Sequence, residues 1–203
     1  NSPNKTIENN TFLVTSWATE GYAIRAWRNS SNNRFINNSI NINGSSNVYG
    51  FLIENDNNTL LNNTIRTNGS GANNYGIYII SATGTKVAYN RIITDGASTS
   101  YGIYLTNTNL THLEENTIFS PSDCINLGRD VNTTLLLNNN FSSCVGFSIL
   151  DTFGGNTTQL LIYNNTYGEI KWTNDSFRKN TSLNFLPGGF ILNRYGLFIQ
   201  NNS

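Results

Sequence analysis

One phrase returns along this chain at a fixed interval. YGFLI occupies residues 49–53, YGIYI 75–79 and YGIYL 101–105, each 26 residues after the last. A period between 20 and 50 residues marks a solenoid or propeller, in which one repeat cannot bury its apolar face alone and has to stack on the next. A second phrase extends the period over most of the chain. IENNTF (7–12), FINNSI (35–40), LLNNTI (60–65), VAYNRI (87–92), LEENTI (113–118), LLNNNF (136–141) and IYNNTY (162–167) each place an apolar residue, then Asn three positions later, then an apolar or aromatic residue two beyond. The shared residues are Asn10, Asn38, Asn63, Asn90, Asn116, Asn139 and Asn165, spaced 23 to 28 apart.

Asparagine is the commonest residue, at 38 of 203. Its side chain competes with the backbone for hydrogen bonds inside helices but tolerates left-handed turns. Long helices are therefore excluded, and the short Ile, Leu, Val, Tyr, Phe and Thr runs between Asn-rich points read as strands. The spacing predicts a coil corner at each of the seven asparagines, with the backbone left-handed there and the flanking apolar residues inward. Stacked coils then set Asn on Asn in an amide ladder. A second corner is expected at Asn43-Gly44, Asn68-Gly69 and Asp95-Gly96. The YG strand follows it, so each return of the phrase is the same strand one storey on. YAIRA (22–26) fits that slot before the repeats and YGLFI (195–199) after them.

These phrases resemble the right-handed parallel β-helix, particularly short Asn-rich repeats of NosD-like and carbohydrate-associated surface proteins. The resemblance implies an all-β, single-stranded right-handed solenoid of about seven coils of 23–28 residues. One domain is expected over 1–203, with a first coil at 1–28, regular coils over 29–172 and an irregular C-terminal coil at 173–203.

That architecture carries enzymes, binding modules and structural proteins alike, so function has to come from a site. Polysaccharide-cleaving relatives resemble one another in grouping carboxylates on neighbouring coils, for calcium or as an acid and base pair. Here Glu54 and Asp56 are followed one coil on by Ile80 and Ala82, then by Thr106 and Thr108. Asp130 and Asp151 fall roughly in the same region, where a weak acidic patch is the alternative to solvated loop acids, and Glu114 and Glu115 read as an ordinary surface position. No catalytic residue, metal ligand or cofactor is expected, and the chain is read as a non-enzyme. His112 is the single histidine and methionine is absent, so the soft donors that copper prefers are missing despite the NosD-like resemblance.

Cys124 and Cys144 are the two cysteines. CINL and CVGF place both at the head of one strand in successive coils, within disulfide reach; two buried thiols are the alternative. An oxidising compartment favours the bridge.

Sequons of the form N-x-S/T begin at Asn4, Asn9, Asn29, Asn37, Asn43, Asn57, Asn62, Asn68, Asn109, Asn132, Asn140, Asn156, Asn164, Asn174, Asn180 and Asn201. That is about twice the number that the Asn, Ser and Thr frequencies give by chance; it points to N-glycosylation of an exported protein, the alternative being that Asn-rich corners beside Thr create sequons as a by-product. Acidic and basic residues balance at 12 each, so neither nucleic acid nor an anionic membrane is an expected partner. No apolar run is long enough to span a bilayer. The start at Asn1, without Met, reads as a processed or trimmed form.

The aromatics add a second signal. Trp17, Trp27, Trp172, Phe177, Phe185, Phe190 and Phe198 fall in the first and last coils, where they serve either as core caps or as an assembly interface. An open β-helix end invites strand pairing with another chain. The expectation is a structural, heavily glycosylated extracellular or cell-surface protein, its partner being itself in a head-to-tail homopolymer or coat. The competing expectation is a carbohydrate-binding or carbohydrate-cleaving module, for which Tyr49, Tyr75 and Tyr101 form a row whose facing the sequence leaves open.

Overall fold

The computed structural model describes residues 2–16, 20–45, 47–96, 99–152, 158–163, 165–173, 183–185 and 191–200, the later segments largely by backbone alone. The protein is a right-handed parallel β-helix, and all of its paired strands run parallel. Each coil contributes one strand to each of three ladders.

The first ladder is an eight-stranded sheet of Thr6–Glu8, Arg34–Ile36, Thr59–Leu61, Lys86–Ala88, Thr108–Glu114, Val131–Leu137, Thr158–Tyr163 and Leu183–Phe185. Its eight strands are one more than the seven coils expected. The second ladder runs through Thr11–Ser16, Ser39–Gly44, Thr64–Gly69, Arg91–Gly96, Thr117–Ser120 and Asn140–Cys144. The third runs through Glu20–Ala26, Asn47–Ile53, Asn74–Ile80, Ser100–Thr106, Ile125–Leu127 and Phe147–Asp151. Thr166–Thr173 pairs with members of both and with Ile191–Gln200, which joins the second and third ladders into one fourteen-stranded sheet.

Period-two alternation sends one face of every strand into a continuous core. The residues flanking the repeat asparagine on both sides are inside: Phe35, Leu60, Val87, Leu113 and Leu136 from the first ladder, Ile40, Ile65, Ile92, Ile118 and Phe141 from the second. Phe51, Ile77 and Ile103 fill the third side. Removing one of these large side chains costs roughly 2–5 kcal/mol, because the closed coil leaves the cavity little room to collapse.

The repeat asparagine turns the corner between the first and second ladders, but the expected backbone conformation sits one residue earlier. Positive φ belongs to Asn9, Asn37, Asn62, Tyr89, Glu115 and Asn138, at 50° to 58°. The outward residue takes the left-handed turn, and this swings the next residue's amide into the interior. The second corner also differs from expectation. Gly44, Gly69 and Gly96 are stacked ladder positions at strand ends, and the chain turns after them. At Gly69 the requirement is space: a Cβ there would collide with the Asn74 amide, whose Nδ2 donates to the Gly69 carbonyl at 3.0 Å.

Candidate functional site

The most ordered chemistry in the molecule is the buried asparagine ladder. Each ladder side-chain oxygen accepts both the main-chain N–H and the Nδ2 of the asparagine one coil before it. From Asn38 to Asn63 these bonds are 2.9 and 3.0 Å, and from Asn116 to Asn139 both are 2.9 Å. From Asn38 to Asn165 each Nδ2 also donates to the carbonyl three residues before the preceding ladder asparagine, as Asn63 does to Phe35 and Asn116 to Val87, both at 2.9 Å. The corner N–H groups that would otherwise be orphaned are satisfied, which is what a buried position demands.

A second buried column, absent from the sequence reading, lies five residues before the first: Asn33, Asn58, Thr85, Thr111 and Thr134. Asn33 donates its N–H to the Asn58 side-chain oxygen at 3.0 Å. The constant offset of five from each repeat asparagine was the available signal.

The tyrosine row faces outward. A regular strand would put Tyr75 and Ile77 on the same face, yet Ile77 joins the main core while Tyr75 joins a separate cluster with Tyr49 and Leu52, flanked by Tyr78, Ile80, Tyr101 and Tyr104. The intervening glycine, Gly50, Gly76 or Gly102, bends three successive strands of the third ladder at the same position in the coil. A Cβ on Gly76 would collide with Ile92 Cγ2 and lie 2.7 Å from the Gly102 carbonyl oxygen, and Gly50 and Gly102 are equally confined. This explains YG: the glycine is where the chain reverses faces. It also brings the tyrosine three residues on to the outer face.

Those rings stack on one another along the helix axis. Tyr49 and Tyr75 have centroids 5.3 Å apart and planes 24° from parallel; Tyr75 and Tyr101 are at 5.2 Å and 9°, and Tyr78 and Tyr104 at 5.1 Å and 22°. Tyr75 meets Tyr78 edge-on at 5.6 Å and 81°. Ring faces are therefore turned to ring faces, and the Tyr75 hydroxyl donates to Asn73 Oδ1 at 3.0 Å. Burial pushes the Tyr49 and Tyr78 hydroxyls up to about 12, with Glu20 adding to the first and Tyr104 to the second, and it also raises Tyr75, Tyr101 and Tyr104.

Beside this face a cleft of about 320 Å³ is lined by Trp27, Arg28, Glu54, Asn55, Ile80 and Ser81. The Trp27 ring is contacted by the guanidinium carbons of Arg28 at 4.0 Å and Arg25 at 4.4 Å. Trp27 thus lines a cleft on the first coil with residues of the next two coils. Trp17, Phe177 and Phe190 lie outside the described residues, as do the side chains of Trp172, Phe185 and Phe198.

Asp151, expected in a solvated loop or an acidic patch, is buried, and Glu54, Asp56 and Glu114 each have their own partner. Glu54 makes a two-pronged pair with Arg25, at 2.5 and 3.1 Å. Asp56 accepts the Thr83 N–H at 2.7 Å, and Glu114 pairs with Lys86 at 2.7 Å. Among the described residues no three His, Cys, Asp or Glu groups gather as a metal site would, and no helix is long and apolar enough to cross a membrane.

Cys124 and Cys144 form a disulfide with Cα atoms 5.6 Å apart. They are not the same slot in successive coils. Cys144 ends a second-ladder strand opposite Ser120, whereas Cys124 leads into a third-ladder strand, its N–H bonded to the Phe147 carbonyl. The bridge therefore crosses the corner between two ladders, joining one coil to the next.

Eleven sequon asparagines fall among residues whose exposure is described. Asn4, Asn9, Asn29, Asn37, Asn43, Asn57, Asn62, Asn68, Asn109 and Asn140 are exposed, and Asn132 is half-buried. Asn156, Asn164, Asn174, Asn180 and Asn201 lie outside the described residues. No sequon asparagine belongs to the described strands of the third ladder, which carry the tyrosines.

Compared with known proteins, residues 1–184 match the family model described as periplasmic copper-binding protein (NosD). No curated protein matches the chain. Among solved structures, a trypsin-treated variant of QnrB1, a plasmid-mediated fluoroquinolone resistance protein, is similar at 9% identity over 95% of this chain and 92% of that one; its TM-score of 0.22 carries no argument.

Proposed function

The chain belongs to the NosD family, and from that premise we propose that it is a non-catalytic extracytoplasmic β-helix, N-glycosylated on its sides, that serves as a rigid structural rod in a surface layer or filament. The observation that carries this reading is the distribution of sequons: ten of the eleven described are exposed, spread over the corners and the first two ladders, while the third ladder has none. Glycans so placed guard the sides from sideways association. The Trp- and Phe-rich first and last coils are the surfaces proposed for stacking along the axis.

Copper, which the family's description names, does not fit the donors of this chain. Methionine is absent, the one histidine, His112, is exposed, and both cysteines are in a disulfide. Soft-ligand copper sites require groups this chain does not bring together.

The competing reading is a sugar-binding module on the tyrosine face. Sugar rings bind aromatics face to face, and here Tyr75 is stacked between Tyr49 and Tyr101, Tyr78 is stacked on Tyr104, and the Trp27 ring is covered by guanidinium groups. That weighs for the structural role. The test is the native protein's mass before and after enzymatic deglycosylation, with sedimentation at micromolar concentration. Mass above the bare 22.5 kDa together with concentration-dependent assembly is expected. An unmodified, strictly monomeric chain that binds polysaccharide would replace this reading with the other.

A further inference from the structure

Resting on the reading that the sequons carry glycans, we infer that stacking makes neighbouring sequons mutually exclusive, so that Asn37 and Asn62 are not both modified in one folded molecule. The two occupy the same outward corner in successive coils, with φ of 52° and 54°, and their side chains leave the helix in the same direction. They touch: Asn62 Nδ2 donates to Asn37 Oδ1 at 2.7 Å. The nitrogen that a glycan would take on Asn62 is the atom that contacts Asn37. The hydroxyl residues completing the two sequons are also in register, Ser39 opposite Thr64.

Consecutive coils are separated by the strand spacing of about 4.8 Å. A pyranose with its equatorial substituents is wider than that spacing, so two sugars attached to stacked asparagines and leaving in parallel overlap at their first residue. Exposure of each asparagine alone does not remove the conflict, because the conflict is between the products. The same relation recurs where Asn43 is opposite Asn68 and Asn109 is opposite Asn132. The rod therefore carries at most one glycan per stacked pair, and a surplus of sequons covers each column whichever member is modified first.

The pair can be read on one peptide, because residues 35–66 contain Asn37, Asn43, Asn57 and Asn62 and no internal Lys or Arg. The full chain is secreted from a glycosylating eukaryotic host, the folded fraction is digested with trypsin, and glycan sites are mapped on that peptide. The expected result is sugar on Asn37 or on Asn62 and no peptide with both. Ser39→Ala removes the first sequon while keeping Asn37 at its corner, and it should shift occupancy onto Asn62; Thr64→Ala should shift it the other way. Peptides modified at both positions, or occupancies indifferent to these two variants, overturn the inference while leaving the glycoprotein reading intact. A peptide bare at all four sites overturns both.

Discussion

The side-chain oxygen of Asn90 accepts two hydrogen bonds from Asn63, one from its main-chain N–H and one from Nδ2, both at 2.9 Å. Asn90 Nδ2 in turn donates to the Leu60 carbonyl, also at 2.9 Å. Replacing Asn90 by Leu strands the Asn63 N–H in the core and removes one of the bonds to the Leu60 carbonyl, and a buried orphan costs about 1–3 kcal/mol. Asn90→Leu should lower stability by about 1–3 kcal/mol in urea denaturation. A loss below that of an ordinary surface substitution would show that water replaces the ladder.

The outward corner residues predict a gain. Tyr89 and Glu115 hold φ of 58° and 50°, where the equivalent corners carry Asn9, Asn37, Asn62 and Asn138. A residue with a bulky Cβ branch of chain pays about 1–2 kcal/mol in that region, and asparagine pays less. Glu115→Asn should raise the melting temperature by about 2 °C, since 1 kcal/mol moves a domain of this size by about 2–4 °C. Conversely, Asn62→Ala should lose about 1 kcal/mol although Asn62 is exposed. Equal melting temperatures for all three proteins would contradict the strain argument.

Gly76→Ala tests the bend in the third ladder. Its methyl group would overlap Ile92 and the Gly102 carbonyl, and overpacking of this kind costs about 1–3 kcal/mol. The loss should appear in chemical denaturation together with weakened near-ultraviolet circular dichroism, because the tyrosine stack depends on that bend. A full-strength tyrosine signal in the variant would mean the stack forms without it.

Alkaline pH should unfold the protein through the same tyrosines. In the unfolded chain they ionise near 10. Folded, Tyr49 and Tyr78 are pushed up to about 12, chiefly by burial, and Tyr75, Tyr101 and Tyr104 are raised as well. Between pH 10 and 12 the unfolded state releases protons that the folded state keeps, so stability is complete below about pH 10 and falls as pH rises. Absorbance at 295 nm should show this group ionising together with unfolding; ionisation of all tyrosines near pH 10 in a folded protein would refute it.

The disulfide closes a loop over a sequence separation of 20, for which chain entropy gives about 3 kcal/mol. The Cys124→Ser, Cys144→Ser double variant should lose about that much, and reducing agent should do the same to the parent. Indifference to both would place the bridge outside the cooperative unit.

By itself the sequence determined the coil and its register. A solenoid imposes one local environment per storey, so Asn38, Asn63 and Asn90 recur because the same unsatisfied corner recurs, and residues three before and two after them are apolar for the same reason. Position within the corner was less legible: Asn37 and Asn38 are the same residue type, and only the backbone shows that the first takes the left-handed turn while the second fills the interior. The facing of Tyr49, Tyr75 and Tyr101 was decided by tertiary structure alone. Alternation puts Tyr75 with Ile77, and the bend at Gly76 that separates them is set by the close approach of Ile92 and the next coil's backbone. The cysteines follow the same division. Their proximity could be read from the repeat, but the path of the bridge across a corner depends on where one strand ends and the next begins, and local sequence does not specify that.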